Sequence, residues 1–206
     1  LSGKELSFNN LNDLWAARAL LEELTLPACV IVKHANPCGC AMAGTIEEAY
    51  AKAYACDPAS AYGGIVALNR PVEAELVRAL AEQFVEVLIA PGFSEAALAR
   101  LREKPATRIL LNRERRVGPA GERDFRRVLG GFLVQDADAD VDEREGMEVV
   151  TDAYPDEPAW GDLLLGWRVV KHVTSNAIVI AKELATIGIG AGQMSRVDAV
   201  RLAVEN

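Results

Sequence analysis

The run Ala28-Cys29-Val30-Ile31-Val32 has no polar residue on either face of an extended chain, so a strand there must be buried on both sides. Further strand-like runs, mostly β-branched or aliphatic, recur at 64–68, 85–90 and 107–111. A sheet apolar on both faces needs helices on both faces, and helical patterns fill the intervals. Residues 9–24 place Leu11, Leu14, Trp15, Leu20 and Leu24 near helical spacing, with Asn10 or Asn12 able to cap the start. Thr45-Ile46-Glu47-Glu48 is a capping box that opens a helix through about Cys56. Pro71 suits the first turn of the next helix, whose inward residues are Leu76, Val77, Leu80 and Phe84. Ser94 can cap another through Arg102. Residues 1–111 therefore read as an α/β unit with a largely parallel or mixed sheet.

The pattern then changes. Residues 112–160 read as a connector, arginine-rich at first, with one or two strands, for example 128–134, and the solvated acidic loop Asp136-Ala137-Asp138-Ala139-Asp140-Val141-Asp142-Glu143. Residues 161–206 read as the truncated start of a second α/β unit. Its helix runs from near Asp162 to about Val170, strands follow at 177–181 and 186–189, and Ser195 caps a last helix from Arg196. An echo links Val30-Ile31-Val32-Lys33-His34-Ala35-Asn36 to Arg168-Val169-Val170-Lys171-His172-Val173-Thr174. Duplication and coincidence both explain it.

The 206 residues carry 22 Lys and Arg against 30 Asp and Glu, a net charge of −8, which argues against the basic footprint that duplex nucleic acid requires. No apolar run approaches the ~20 residues needed to span a bilayer. No targeting segment is visible at the N-terminus. The missing initiator Met reads either as the mark of a piece of something longer or as Met removal or processing. Cys29, Cys38, Cys40 and Cys56 sit mostly in apolar or helical contexts that favour reduced thiols, as expected in the cytoplasm.

Only two histidines exist, His34 and His172. His34 follows Lys33 at the end of a buried strand, before an Asn36-Pro37-Cys38-Gly39 turn, where α/β sheets place ligands. The pair reads either as catalytic or as a capped, hydrogen-bonded pair. Neighbouring strand residues face opposite ways, so both serve one site only if the strand has ended there. A zinc-deaminase reading fails on register: His34-Ala35-Asn36 lacks the glutamate, and Ala41 stands where the second cysteine would be required. Gly188-Ile189-Gly190-Ala191-Gly192-Gln193-Met194-Ser195-Arg196, between a strand and a helix start, reads as an anion site or as a plain glycine turn. Asn176 and Tyr62-Gly63-Gly64 suit either turns or ligand contact.

Together with Gly3-Lys4-Glu5-Leu6-Ser7-Phe8-Asn9-Asn10 and Ile89-Ala90-Pro91-Gly92, these stretches resemble, in order, the transformylase region of the bifunctional purine biosynthesis family. That family joins phosphoribosylaminoimidazolecarboxamide formyltransferase to IMP cyclohydrolase. The resemblance implies a cytidine-deaminase-like three-layer α/β fold in two related units, one complete here and the second truncated. It implies formyl transfer from 10-formyltetrahydrofolate, the cosubstrate, to the 5-amino group of aminoimidazole carboxamide ribonucleotide, with no metal. His34 would be the base and Lys33 the oxyanion stabiliser or proton donor to the leaving nitrogen. Asn10, Gly63, Glu86, Asn176 and Arg196 would contact the ribonucleotide, and Val197 the folate. The partners implied are these small molecules and a second copy in a homodimer with shared sites. The cyclohydrolase domain and an Arg-Tyr-Gly…Asn-Pro-His-Gln block upstream are missing, so little or no activity is expected of the isolated chain. The alternative is a non-catalytic nucleotide-binding or dimerisation fragment of the same fold.

Overall fold

The computed structural model describes residues 2–113, 121–140 and 143–205. Residues 114–120 of the connector and Val141 and Asp142 of the acidic loop lie outside the described residues. The chain divides into one unit of Leu1–Arg113 with Pro155–Asn206 and another of Glu114–Tyr154.

The larger unit is built on one seven-stranded sheet in the order β5-β4-β3-β1-β2-β9-β8. Its strands are β1 (Ala28–Lys33), β2 (Asn36–Met42), β3 (Ile65–Leu68), β4 (Val87–Ala90), β5 (Arg108–Leu111), β8 (Ile178–Lys182) and β9 (Ala185–Gly190). The pairs β3–β4 and β4–β5 are parallel, whereas β1–β2, β1–β3, β2–β9 and β8–β9 are antiparallel. The sheet is therefore mixed. Residues 161–206, read from sequence as opening a second unit, enter this same sheet through β9, where Ala41 faces Ala185. The Met42 N–H also donates to the Leu184 carbonyl at 2.8 Å.

Helices cover both faces, as the two-sided apolar strands require. On one face Cys29, Ile31, Val66, Leu68 and Leu88 pack against α2 (Ile46–Cys56), α4 (Ala74–Leu80) and α5 (Glu95–Arg102). On the other, Val30, Val32, Ile65, Val87 and Ile89 meet α1 (Phe8–Glu22) and α6 (Glu157–Lys171). A short α3 (Pro58–Ala61) precedes β3, and α7 (Arg196–Glu205) ends the unit. The α1 cap is Ser7, whose hydroxyl accepts from the Asn10 N–H at 3.1 Å. Asn10 is thus the third residue of the helix and closes the box by accepting from the Ser7 N–H at 3.0 Å, rather than being the cap itself. Pro71 lies outside α4, and α6 starts at Glu157, earlier than its apolar periodicity suggested, because Asp156 caps it and Pro158 stands in its first turn.

The largest departure is β2. Asn36-Pro37-Cys38-Gly39 reads as a turn but is a strand; the turn is the two residues before it. Pro37 is tolerated because it sits where the β1–β2 register shifts, between Ile31 and Val32. Gly39 is required because a Cβ there would run into the Ala53 carbonyl oxygen of α2.

The second unit contains an antiparallel hairpin of β6 (Arg123–Val128) and β7 (Gly131–Asp136), with Val128 opposite Gly131 across Leu129-Gly130. Of the one or two strands expected in the connector, two form, and the example span 128–134 is broken by that turn, which Gly130 enters at φ 82°.

A repeat is embedded in the larger unit. Ile31, Val32 and Lys33 face Gly39, Pro37 and Asn36, and Ile180, Ala181 and Lys182 face Gly188, Thr186 and Ala185, with the same register shift. Each hairpin is followed by a helix against its glycine, Ala53 over Gly39 and Ala203 over Gly188. The repeat aligns Lys33-His34 with Lys182-Glu183. The Lys171-His172 echo is not its counterpart.

Candidate active site

The pairing directions decide which chain segments meet. The end of β1, the starts of β3 and β4, the start of β8 and the end of β9 all lie along one sheet edge. That edge collects His34 after β1, Gly63 before β3, Glu86 before β4, Asn176 before β8, and the glycine loop that leads from β9 to Arg196.

β1 ends at Lys33, and His34 and Ala35 form the hairpin turn with φ of 54° and 60°. Two positive φ values suit a two-residue hairpin but disfavour residues other than Gly, Asn or Asp. The left-handed conformation costs roughly 1–2 kcal/mol per such residue. Asp13 of α1 offsets it: its Oδ2 accepts from the His34 N–H at 3.3 Å and its Oδ1 from the Ala35 N–H at 2.8 Å. Hydrogen bonds to a charged group contribute about 1.5–3 kcal/mol each. Asn36 closes the other side, donating through Nδ2 to the His34 carbonyl at 3.2 Å and accepting through Oδ1 from the Thr174 N–H at 2.9 Å.

Because the strand ends at Lys33, the alternation rule no longer separates the pair, and both residues line one cleft of about 220 Å³. Asn36, Cys38, Asp57 and Leu202 line it too. Lys33 Nζ donates to the Tyr62 carbonyl at 2.7 Å, which holds the ammonium against the Tyr62-Gly63 turn. Burial first, and the nearby Asp57 carboxylate second, push the Cys38 thiol up to about 12. Cys38 is thus a neutral wall of the cleft rather than a nucleophile.

Gly63 has φ 73° and donates its N–H to the Phe84 carbonyl at 2.8 Å, so the turn needs glycine for its backbone. The Glu86 N–H donates to the Gly64 carbonyl at 3.0 Å. Arg108 Nη1 approaches Glu86 Oε1 to 2.6 Å, and Asn10 Nδ2 reaches the same oxygen at 3.5 Å. Arg108 was missed by sequence reasoning; its signal is a guanidinium opening an otherwise aliphatic strand. Asp13 was missed as well, since a carboxylate within a helix pattern reads as its solvated face.

Asn176 is laced to the glycine loop, its Nδ2 donating to the Gln193 and Met194 carbonyls at 3.0 and 3.1 Å. Ser195 accepts from the Asp198 N–H at 3.4 Å at the start of α7, where Arg196 and Val197 are exposed. Neither of these two lines the His34 cleft. The other histidine has a different role: His172 Nε2 lies 2.6 Å from Glu23 Oε1, and Lys171 Nζ 3.4 Å from the same oxygen, tying α6 to the end of α1. Among the described residues, no group of three or more His, Cys, Asp or Glu is placed to hold a metal ion. No described helix is long and apolar enough to cross a membrane.

The model of the AICARFT/IMPCHase bienzyme family matches residues 1–206. The bifunctional purine biosynthesis protein PurH of Anaeromyxobacter sp. (strain Fw109-5) is 50% identical over 212 residues, 99% of this chain and 40% of the relative. PurH of Gloeothece citriformis (strain PCC 7424) is 47% identical over 207 residues, covering 100% of this chain and 40% of the relative. The chain thus spans about two fifths of the length of the curated relatives it matches. With a match that runs from end to end, the chain belongs to the AICARFT/IMPCHase bienzyme family.

Proposed function

We propose that this chain carries the formyl-transfer site of its family, moving the formyl group of 10-formyltetrahydrofolate to the 5-amino group of aminoimidazole carboxamide ribonucleotide. The observation that carries this reading is the shared cleft of Lys33 and His34, on the edge that also gathers Gly63, Glu86, Asn176 and the loop to Arg196. The exocyclic amine is conjugated with its ring and weakly nucleophilic, so attack needs a base to take its proton. His34 does so as the new C–N bond forms. Lys33 stabilises the oxyanion on the formyl carbon. Collapse breaks the bond to the folate nitrogen, which leaves with a proton donated by Lys33, while His34 holds the proton lost by the amine.

Asn10, Gly63, Glu86, Asn176 and Arg196 are the proposed ribonucleotide contacts, with Val197 toward the folate. Glu86 is poised for such a contact by the Arg108 guanidinium and the Asn10 amide. In a chain of net charge −8, anionic ligands need local positive charge, and Lys33 and Arg196 supply it on this edge. We read the three layers and the repeated hairpin as a deaminase-like fold, the active species as a homodimer with shared sites, and its place of action as the cytoplasm.

The test is His34→Ala in the native protein. The expected result is a loss of formyl transfer of about a thousandfold, within the usual range for general acid–base catalysis, with ribonucleotide binding within a few-fold of wild type. Strong loss of binding would make His34 a ligand contact instead. Ribonucleotide binding that never responds to folate would favour a purely nucleotide-binding role.

A further inference from the structure

We infer that Asp13 is the positioning residue that sets His34 for catalysis, an inference that rests on the proposed role of His34 as the base. Asp13 accepts the two N–H groups of the hairpin turn, at 3.3 Å from His34 and 2.8 Å from Ala35. The turn residues are His and Ala, neither of which favours the positive φ values of 54° and 60° they hold. The turn is therefore imposed from α1 rather than encoded in its own two residues. Without the carboxylate, the two residues relax toward ordinary backbone angles and carry the imidazole with them. Lys33 stays where it is, since it belongs to β1 and is held separately by the Tyr62 carbonyl.

The repeat supplies an internal copy of the device. Asp162 of α6 accepts from the Glu183 N–H at 3.0 Å through Oδ2 and from the Leu184 N–H at 2.7 Å through Oδ1. Glu183 and Leu184 have φ of 53° and 59°. The same oxygen takes the same turn position in both halves, so the clamp is a built feature of the hairpin. Only the first copy presents an imidazole, and the second turn lies at the opposite sheet edge. The clamp on His34 matters because displacing a reacting group by ~1 Å costs on the order of a hundredfold in rate. Asp13 also lies one helical turn beyond Asn10, whose amide reaches Glu86, so α1 sets the base and a proposed ribonucleotide contact on one rigid element.

The experiment compares Asp13→Ala, Asp13→Asn and Asp162→Ala in the native protein by formyl-transfer kinetics and thermal unfolding. Asp13→Ala is expected to lower kcat about a hundredfold while the ribonucleotide KM stays within threefold. Asp13→Asn, which keeps one acceptor oxygen, is expected to fall between it and wild type, and it serves if the alanine variant does not fold. Adding Ala35→Gly to Asp13→Ala is expected to recover at least tenfold of kcat, because glycine enters positive φ freely. Asp162→Ala should lower Tm with less than twofold change in kcat. Losses of activity that follow Tm alike in the Asp13 and Asp162 variants, a rise in KM alone, or no rescue by Ala35→Gly would each overturn the inference. If His34→Ala itself leaves formyl transfer intact, the reading of the site has failed. If His34→Ala abolishes turnover and Asp13→Ala does not, only the positioning role has failed.

Discussion

The hairpin of β1 and β2 and the hairpin of β8 and β9 share register, bulge, glycine and aspartate clamp, yet only one presents an imidazole. The first turn holds His34 beside Lys33; the second holds Glu183 beside Lys182. A second cleft of about 220 Å³, matching the first in size, lies at the second hairpin, lined by Lys52, Lys182, Glu183 and Thr186. The backbone device is thus independent of the chemistry. A hairpin clamped at positive φ projects one residue from a sheet edge, and the identity of that residue, with its neighbours on the edge, decides whether catalysis follows.

The sharpest way to break this comparison is kinetic. His34→Ala should cost about a thousandfold in formyl transfer, whereas Glu183→Ala should change it less than twofold; equal losses would mean that both hairpins serve the reaction. Packing comes next. Gly39 and Gly188 each sit beneath a helix carbonyl, so Gly39→Ala and Gly188→Ala should each destabilise by about 3 kcal/mol, measured by urea unfolding. A large inequality between them would show that the halves are not equivalent in packing.

The join between the halves is the third target. Buried Thr186 accepts through Oγ1 from the Cys40 N–H at 2.9 Å and donates to the Cys40 carbonyl at 3.2 Å. Thr186→Val keeps the shape but strands both groups, at a cost of about 2 kcal/mol. The corresponding Pro37 has no hydroxyl to mirror it. An unchanged midpoint would show that backbone pairing alone holds β2 to β9.

The smallest effect is alkaline. Cys29, Cys38, Cys40 and Cys56 all lie in the first half, and burial raises every one of their thiols. A folded value above the unfolded one, near 8.5, means stability that is full below that pH and is lost as pH rises toward the folded value, about 12 for Cys38. Unfolding midpoints should therefore fall above about pH 8.5. Cys38→Ala should flatten the fall by about 1.4 kcal/mol or less per pH unit. A variant with the same slope as wild type would remove Cys38 as a cause.

Much of the first half was legible because local signals agreed there. The Thr45 and Ser94 caps open α2 and α5 where the capping pattern put them, and the fully apolar runs became β1, β3 and β4. The strand β2 was not legible. Proline and glycine, turn formers in isolation, are held extended there by pairing with β1 and by the close approach of α2. The repeat was also hidden, since its two copies share little beyond an aspartate, a lysine and a glycine that mean something only in register. Lys33-His34 stood out by its place at a strand end, but Asp13 and Arg108 show their roles only across long-range contacts.

Local chemistry, written in the sequence, determined which segments are helices and which strands are buried on both faces, because caps and apolar runs act over a few residues. It also determined that one histidine stands after a lysine where a buried strand stops. Tertiary structure alone decided that residues 161–206 share the first segment's sheet and that His34, Glu86 and Arg196 belong to one edge. It alone decided that Lys33 and His34 face one cleft. Those outcomes depend on strand direction, register and a carboxylate reaching from another element, none of which a linear pattern specifies.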